Sequence, residues 1–349
     1  MSAATIELSA DARAGPRSRT SAARPRLGFL GVGWIGRHRM QAIVEEHCAE
    51  IAAIADASPD VAAEAQKLAP HAPVAGSLDE LLDTELDGVV IATPSALHAS
   101  QAEAALAKGL AVFCQKPLAR TAVETARIID AARAADRLLG VDLSYRHTAA
   151  MQAVRDVIHR NEIGEVYAID LVFHNAYGPD KAWFRDPTLS GGGCVIDLGI
   201  HLVDLALWTL GFPAVHEVSS RLYAQGKRLG PAPRVVEDHA VARIDLAGDV
   251  TASLACSWNL SAGCDCVIEA SFHGTRGGVS MRNVEGSFYD FVAERFDGTR
   301  RTRLATPPDA WGGRAAVAWA RRLACDPRFD PEIEHLTQVA QVLDAIYGR

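Results

Sequence analysis

A lysine followed by proline, and an aspartate and a histidine four residues apart, are the side chains in this sequence best suited to chemistry. Lys116 precedes Pro117 at the end of an apolar run, where a proline-braced cation can be presented to a substrate oxygen. Asp197 and His201 follow the glycines 191–193 and, on a helix, share one face. A carboxylate beside an imidazole fixes its tautomer and stabilises the imidazolium, as a general base near neutral pH requires. Each also has a plainer reading: a surface lysine, a helix ion pair, or a buried histidine satisfied by Asp197 or Asp204. His201 as a metal ligand lacks an accompanying pattern of spaced His and Cys residues, so no metal is expected. Cys264 and Cys266, with Cys256 nearby, read as core packing.

A second constellation suits a phosphate. Gly31-Val32-Gly33-Trp34-Ile35-Gly36 joins an apolar run to a helical pattern, so bare backbone at Gly31, Gly33 and Gly36, with Trp34 and Ile35 opening the helix, lets a pyrophosphate reach the helix N-terminus. Asp56 lies 20 residues beyond Gly36, at the end of the next apolar run. There a carboxylate accepts the hydroxyls of an adenosine ribose and repels a 2′-phosphate, which favours NAD over NADP; Arg37 is the residue able to offset that repulsion. A glycine turn that binds no nucleotide, with Asp56 a solvated strand end, is the plainer alternative. Thr93 and Pro94, at another strand end, are placed to line the nicotinamide ribose.

The elements that must hold these residues follow from periodicity. Apolar runs at 27–30, 51–55, 89–92, 110–114 and 138–143 alternate with helical patterns at 35–48, 59–68, 97–108 and 122–135, the signature of successive βα units and a doubly wound parallel sheet. Open α/β sheets bind ligands at the carboxyl ends of their strands, where Gly31, Thr93 and Lys116 all fall. Past about Arg146 a helix at 149–160 leads into strands of period two (166–174, 240–246, 250–258), with Tyr167, Ile169, Leu171 and Phe173 on one face and Asp170 and His174 on the other. Such strands predict an antiparallel sheet with one face on helices, and glycines such as Gly274, Gly277 and Gly286 punctuate its later hairpins. Helices at 314–324 and 332–347 close the chain.

Composition sets the limits. With 349 residues, 49% hydrophobic and 22% charged, the chain has the make-up of an ordered globular protein of two domains. A net charge of −8 argues against nucleic acid and anionic membranes as partners. Charges or glycines interrupt the longest apolar stretches, so none is expected to span a bilayer, and the segment 1–24 reads as a disordered leader without a secretory core. Seven cysteines without paired spacing suit a reducing, cytoplasmic compartment.

In these motifs the sequence resembles the glucose-fructose oxidoreductase and inositol dehydrogenase (Gfo/Idh/MocA) family over about residues 26–347. The resemblance rests on Gly31–Gly36, on Ala92-Thr93-Pro94 with Leu97-His98, on Lys116-Pro117, and on the segment 191–204. It implies a Rossmann domain (25–146) and a C-terminal α/β domain (147–349) with a large open, mainly antiparallel sheet, and assembly into dimers or tetramers. It implies that Lys116, Asp197 and His201 are the catalytic residues, and that Thr93, Pro94, His98, Gln115 and Lys116 join the glycine loop in binding NAD or NADP. Arg146 lies near a family cleft arginine, and Tyr145, His174, Asn175, Tyr177 and Trp183 offer polar groups to a polyhydroxylated ligand. One departure is plain: the family's Glu-Lys-Pro is here Gln115-Lys116-Pro117. The expected activity is hydride transfer between a nicotinamide cofactor and a secondary alcohol or ketone of a sugar or cyclitol. Its rivals are a non-catalytic NAD-sensing regulator and a reductase of non-sugar carbonyls or diols.

Overall fold

The computed structural model describes residues 24–230 and 234–349. The leader read over 1–24 falls outside the described residues except for Arg24. Strands β1 (Arg26–Leu30), β2 (Glu50–Ala55), β3 (Val74–Ala75), β4 (Gly88–Ile91), β5 (Ala111–Cys114) and β6 (Leu139–Val141) form a parallel sheet in the order β3-β2-β1-β4-β5-β6. Beyond Arg26 and Glu50, which start β1 and β2, these strands are apolar, and the central ones are covered on both faces. The crossovers are α1 (Trp34–Glu45), α2 (Pro59–Gln66), α3 (Leu78–Leu82), α4 (Ser95–Ala107) and α5 (Ala122–Ala135). Ser58, Ser77 and Thr121 cap α2, α3 and α5, each side chain accepting from a backbone amide three residues on. α1 and α4 begin at Gly33 and Pro94 without a side-chain cap. Strand order reverses between β1 and β4, which opens a crevice at their carboxyl ends.

α6 (Ala149–His159) leads into the second sheet through β7 (Val166–Asn175). Next come α7 (Pro187–Ser190), a π-helical turn (Val195–Gly199) and α8 (Ile200–Thr209). The remaining strands are β8 (Val215–Ala224), β9 (Lys227–Arg228), β10 (His239–Leu246), β11 (Val250–Ser257), β12 (Cys266–Gly274), β13 (Gly277–Asn283), β14 (Phe291–Asp297) and β15 (Arg300–Ala305), in the spatial order β15-β14-β13-β12-β7-β11-β10-β8-β9. Ile169, Leu171, Phe173, Leu254, Ile268 and Phe272 face the core with Leu202, Val203 and Leu205 of α8. The stretch Pro187–Thr209 meets the length and hydropathy of a membrane span over 23 residues, and most of it is buried within this core.

Three features differ from the expected pattern. β3 and α3 carry too few residues to show a period. β7 and β11 pair in parallel within the otherwise antiparallel sheet, and the chain between them includes α8, the kind of crossover that parallel neighbours need. The boundary at 146/147 does not hold for the tail: α9 (Arg314–Cys325) returns to the first domain. There Ala316, Val317, Trp319 and Leu323 pack with Leu27, Phe29, Val90 and Phe113. The physical reason is cover, since the α1 side of the parallel sheet would otherwise leave apolar surface bare near β4 to β6. Gly88 and Gly140 make room for Trp319; a Cβ at Gly140 would come within 2.6 Å of its ring. α10 (His335–Tyr347) ends the chain against β8, α8 and α5.

Candidate active site

The glycine loop divides its labour. Gly31 has φ +80°, and a Cβ there would meet the Ala92 backbone at 2.7 Å, while a Cβ on Gly36 would lie 2.1 Å from the Gly31 carbonyl. Those two glycines serve the chain's own packing. Gly33 does not: a Cβ there meets nothing within 4 Å, and its backbone opens outward at the uncapped start of α1. An open glycine beside free helix-terminal amides fits a pyrophosphate. Asp56 accepts from the Val32 amide at 2.8 Å and from the Ser58 amide at 2.9 Å, which holds its carboxylate against the loop where a ribose would lie. Trp34 is 53% exposed and rests on His38. Thr93 donates its hydroxyl to Gln101 at 2.5 Å, and Ile35 is half-buried behind the loop.

Lys116 meets Asp197 across the two domains. Its Nζ donates to Asp197 Oδ1 and to the Asp197 carbonyl, each at 2.7 Å. The second carboxylate oxygen accepts from Trp258 Nε1 at 3.1 Å. An ammonium has three donors, so one remains for a substrate oxygen. His201 is buried, and its ring makes no hydrogen bond with the described residues; the Tyr145 ring packs on it edge-on at 4.8 Å between centroids. Burial, followed by the positive charges of Lys116 and Arg39, pushes the His201 pKa well below its ordinary value. The ring is therefore neutral at pH 7 and free to accept a proton.

The expected Asp197–His201 bond is not made. The π-helical turn at Val195–Gly199 breaks the regular period, so a spacing of four no longer stacks the two side chains, and Asp197 turns to Lys116 and Trp258 instead. The turn is seated on a buried carboxylate. Glu237 accepts from the Gly193 amide at 3.0 Å, the Val195 amide at 2.9 Å and the Tyr347 hydroxyl at 2.8 Å, and Tyr347 Oη accepts from the Ile196 amide at 3.1 Å. Gly193 is obligatory here, because a Cβ would sit 1.9 Å from the Glu237 carbonyl. Glu237→Gln keeps the shape but replaces one accepting oxygen by a donor facing donors. The expected loss is about 1–3 kcal/mol of stability in urea unfolding, with turnover lowered more than NAD affinity; unchanged unfolding would show that the carboxylate is not the seat.

Other expected residues fall elsewhere. Arg146 makes a two-pronged ion pair with buried Asp204, Nε to Oδ2 at 2.7 Å, and lies over the Trp208 and Phe212 rings, so its guanidinium is committed to α8. His174 lies on the outer face of the second sheet, 2.8 Å from the Ser257 hydroxyl and stacked with His239, opposite the face that carries Phe173 and α8. Tyr177 donates its hydroxyl to Asp265, Asn175 accepts from the Tyr177 amide, and Trp183 stacks on Phe184. His98 is buried and bridges two turns, Nδ1 at 2.8 Å from the Pro117 carbonyl and Nε2 at 2.7 Å from that of Thr93. It is a strut between the strand ends rather than a lining group. Tyr145 keeps its place beside His201. Trp258 and Glu237 were not foreseen; the one sequence signal was that the alternating run 250–258 ends on a tryptophan.

A family model described as "Oxidoreductase family, NAD-binding Rossmann fold" matches residues 26–143, and the GFO/IDH/MocA C-terminal domain model matches residues 151–280. The chain belongs to the Gfo/Idh/MocA family. Its first domain is accordingly an NAD-binding Rossmann domain, as the glycine loop and Asp56 require. Within the family, D-glucoside 3-dehydrogenase of Escherichia coli (strain K12) is 29% identical over 58% of this chain and 60% of its own length, so the match spans about three-fifths of that relative. Inositol 2-dehydrogenase of Rhizobium meliloti (strain 1021) is 29% identical over 74% of this chain and 76% of its own length. Among solved Gfo/Idh/MocA-like structures, GenD2 from gentamicin A biosynthesis, in complex with NAD, superposes with a TM-score of 0.78 at 24% identity, covering 96% of both chains. Levoglucosan dehydrogenase with NADH and levoglucosan gives 0.76 at 22% identity, covering 92% of this chain and 96% of its own.

Proposed function

We propose that this protein transfers a hydride between NAD and a secondary alcohol or ketone of a sugar or cyclitol. The observation that carries the reading is the pairing of Lys116 with Asp197 across the domain boundary, with the unpartnered, buried His201 in the same helical segment. Gly33, the free amides of α1 and Asp56 would hold NAD, which supplies the hydride acceptor when bound. Lys116, pinned by Asp197, directs its remaining donor at the substrate oxygen and stabilises negative charge as the hydroxyl proton leaves. His201 takes that proton; in the reverse direction its imidazolium returns it. Relatives named for glucoside, inositol and anhydrofructose chemistry support a polyhydroxylated substrate.

The test is reduced-nicotinamide absorbance with NAD and a panel of cyclitols, aldoses and amino sugars. Reduction with one stereochemical group is the expected result; oxidation only of apolar alcohols would overturn the substrate class. Cofactor choice gives a second test. Asp56→Ser removes the charge that repels a 2′-phosphate while a hydroxyl still reaches the loop, so NADP affinity should rise about tenfold against NAD in calorimetric titration. An unchanged ratio would move the discriminating group to Arg37.

The same reading includes a homo-oligomer formed through the outer face of the second sheet. That face exposes Val241 and leaves Val172, Ala255 and Ser253 without a covering layer. Sedimentation should show a species larger than a monomer. All seven cysteines are free thiols, which supports a reducing, cytoplasmic setting.

A further inference from the structure

Helix α10 ends in a turn whose side chains reach both halves of the site. Gly348 takes φ +73°, its amide donates to the Ala345 carbonyl at 3.0 Å, and the Arg349 amide donates to the Asp344 carbonyl at 3.0 Å, the paired bonds of a Schellman motif. The turn folds Arg349 back on its own helix. There its guanidinium carbon lies 4.6 Å from the centre of the Tyr347 ring, and its Nε donates to Asp344 Oδ1 at 2.9 Å. Asp344 Oδ2 accepts from the amide of Ala122, the first residue of α5, at 2.8 Å. Both carboxylate oxygens are thus engaged, and the guanidinium is held by a ring on its face and an acid at its edge.

The two terminal nitrogens of Arg349 span the segments that carry the chemistry. Nη2 donates to the Arg120 carbonyl at 2.8 Å and Nη1 to the Gly191 carbonyl at 3.1 Å. Arg120 is four residues past Lys116, and Gly191 is six before Asp197. Neither carbonyl lies in a helix or a strand, so no regular ladder fixes the spacing of the two segments. A guanidinium does, because its nitrogens form a rigid planar fork. The glycines permit the approach: a Cβ on Gly191 would lie 2.7 Å from Arg120 Cβ, and one on Gly192 would lie 2.0 Å from the Tyr347 hydroxyl oxygen. Arg120 adds its own bond to the Thr188 carbonyl, and Tyr347 accepts from the Ile196 amide one residue before Asp197. α10 itself straddles the boundary, with Leu336 in the core of the first domain and Val339, Val342 and Leu343 in that of the second.

We propose that Arg349 and Asp344 are positioning residues: they set the spacing between the segment that carries Lys116 and the segment that carries Asp197, and so hold the ammonium on the carboxylate. Asp344 orients Arg349, and Arg349 clasps the two backbones. This role rests on the reading of Lys116 and Asp197 given above and not on the identity of the substrate. Its rival is a plain anchor for the end of α10, which would stabilise the fold without reaching the pair.

The test is a double-mutant cycle of K116M and D197N, read as urea unfolding constants, made in the wild-type chain and again in R349M. Coupling between residues 116 and 197 should be about fivefold in wild type, as for a partly solvated ion pair, and less than about twofold in R349M. D344N is the milder change, since it leaves the fold's apolar contacts alone and turns an amide nitrogen on one of two donors; it should give the same loss of coupling. R349K keeps the charge but lacks the fork, so its coupling should match that of R349M. In turnover of a sugar or cyclitol, R349M should lose about tenfold to a hundredfold in kcat, with NAD affinity unchanged in calorimetry. Lower stability with full coupling in R349M and D344N marks a plain anchor and overturns the proposal. Wild-type coupling in R349K, or wild-type kcat in R349M, overturns it as well. A protein that oxidises no sugar yet loses the coupling keeps the clasp and gives up only the substrate class; one that oxidises a sugar with the coupling intact in R349M does the reverse.

Discussion

Lys116→Met lowers turnover by about three orders of magnitude or more, with NAD binding close to that of wild type. The side chain keeps its length and loses its charge, so two things vanish together: the donor aimed at the substrate oxygen, and the partner of Asp197. The Asp197 carboxylate retains Trp258 Nε1 and partial solvent contact, so the fold survives the change. Steady-state kinetics beside calorimetry of NAD separates the two effects. Wild-type turnover in a folded variant would remove Lys116 from the mechanism. Charge removal also reaches His201, since Lys116 is among the causes that lower its pKa. Any residual activity of the variant should therefore show its acid limb at higher pH than wild type.

His201 governs that limb. A histidine whose folded pKa is depressed stays neutral as the pH falls past its ordinary value near 6.5, and gains its proton only below it. Alcohol oxidation needs the neutral ring, so kcat/KM in that direction should be flat from pH 8 to below 6.5 before declining. Ketone reduction needs the imidazolium and should rise as pH falls through the same range. His201→Asn removes the base and should cost about 10²- to 10⁴-fold in both directions, with loss of the limb. A limb that persists unchanged in this variant assigns proton transfer to another group. The same shift bears on stability: the unfolded ring binds more protons below 6.5 than the folded one, so the fold weakens as pH drops through that window.

Much of the site was legible because its signals are local. Gly31 to Gly36 sits between a strand and a helix contiguous with it, and Asp56 ends the next strand, so a few tens of residues contain the whole cofactor argument. Lys116 was legible as a strand-end cation beside proline. The partner of Asp197 was not. Helical spacing pointed to His201, but a one-residue widening of the helix turned the carboxylate away, and that π turn depends on Glu237 and Tyr347, 40 and 150 residues further along. His174 ends a strand near the cleft, but the period of two that sets it opposite Phe173 carries it away from the site. Arg146 carried the right chemistry for a sugar, yet Asp204, one turn beyond His201, claims its guanidinium.

By itself the sequence determined the fold class, the nucleotide-binding fold, and the residue types available for proton transfer. These depend on period, on bare backbone and on charge at contiguous strand ends. Tertiary structure alone decided which of those groups meet. Lys116 and Asp197 are 81 residues apart and Gln115 and Asp142 are 27; the first pair meets because the π-helical turn packs against the end of β5, the second because β5 and β6 are neighbours, and neither through any local preference. A buried carboxylate must find a cation or donors wherever the packed chain presents them, and that choice is made only once the sheets and helices have closed around it.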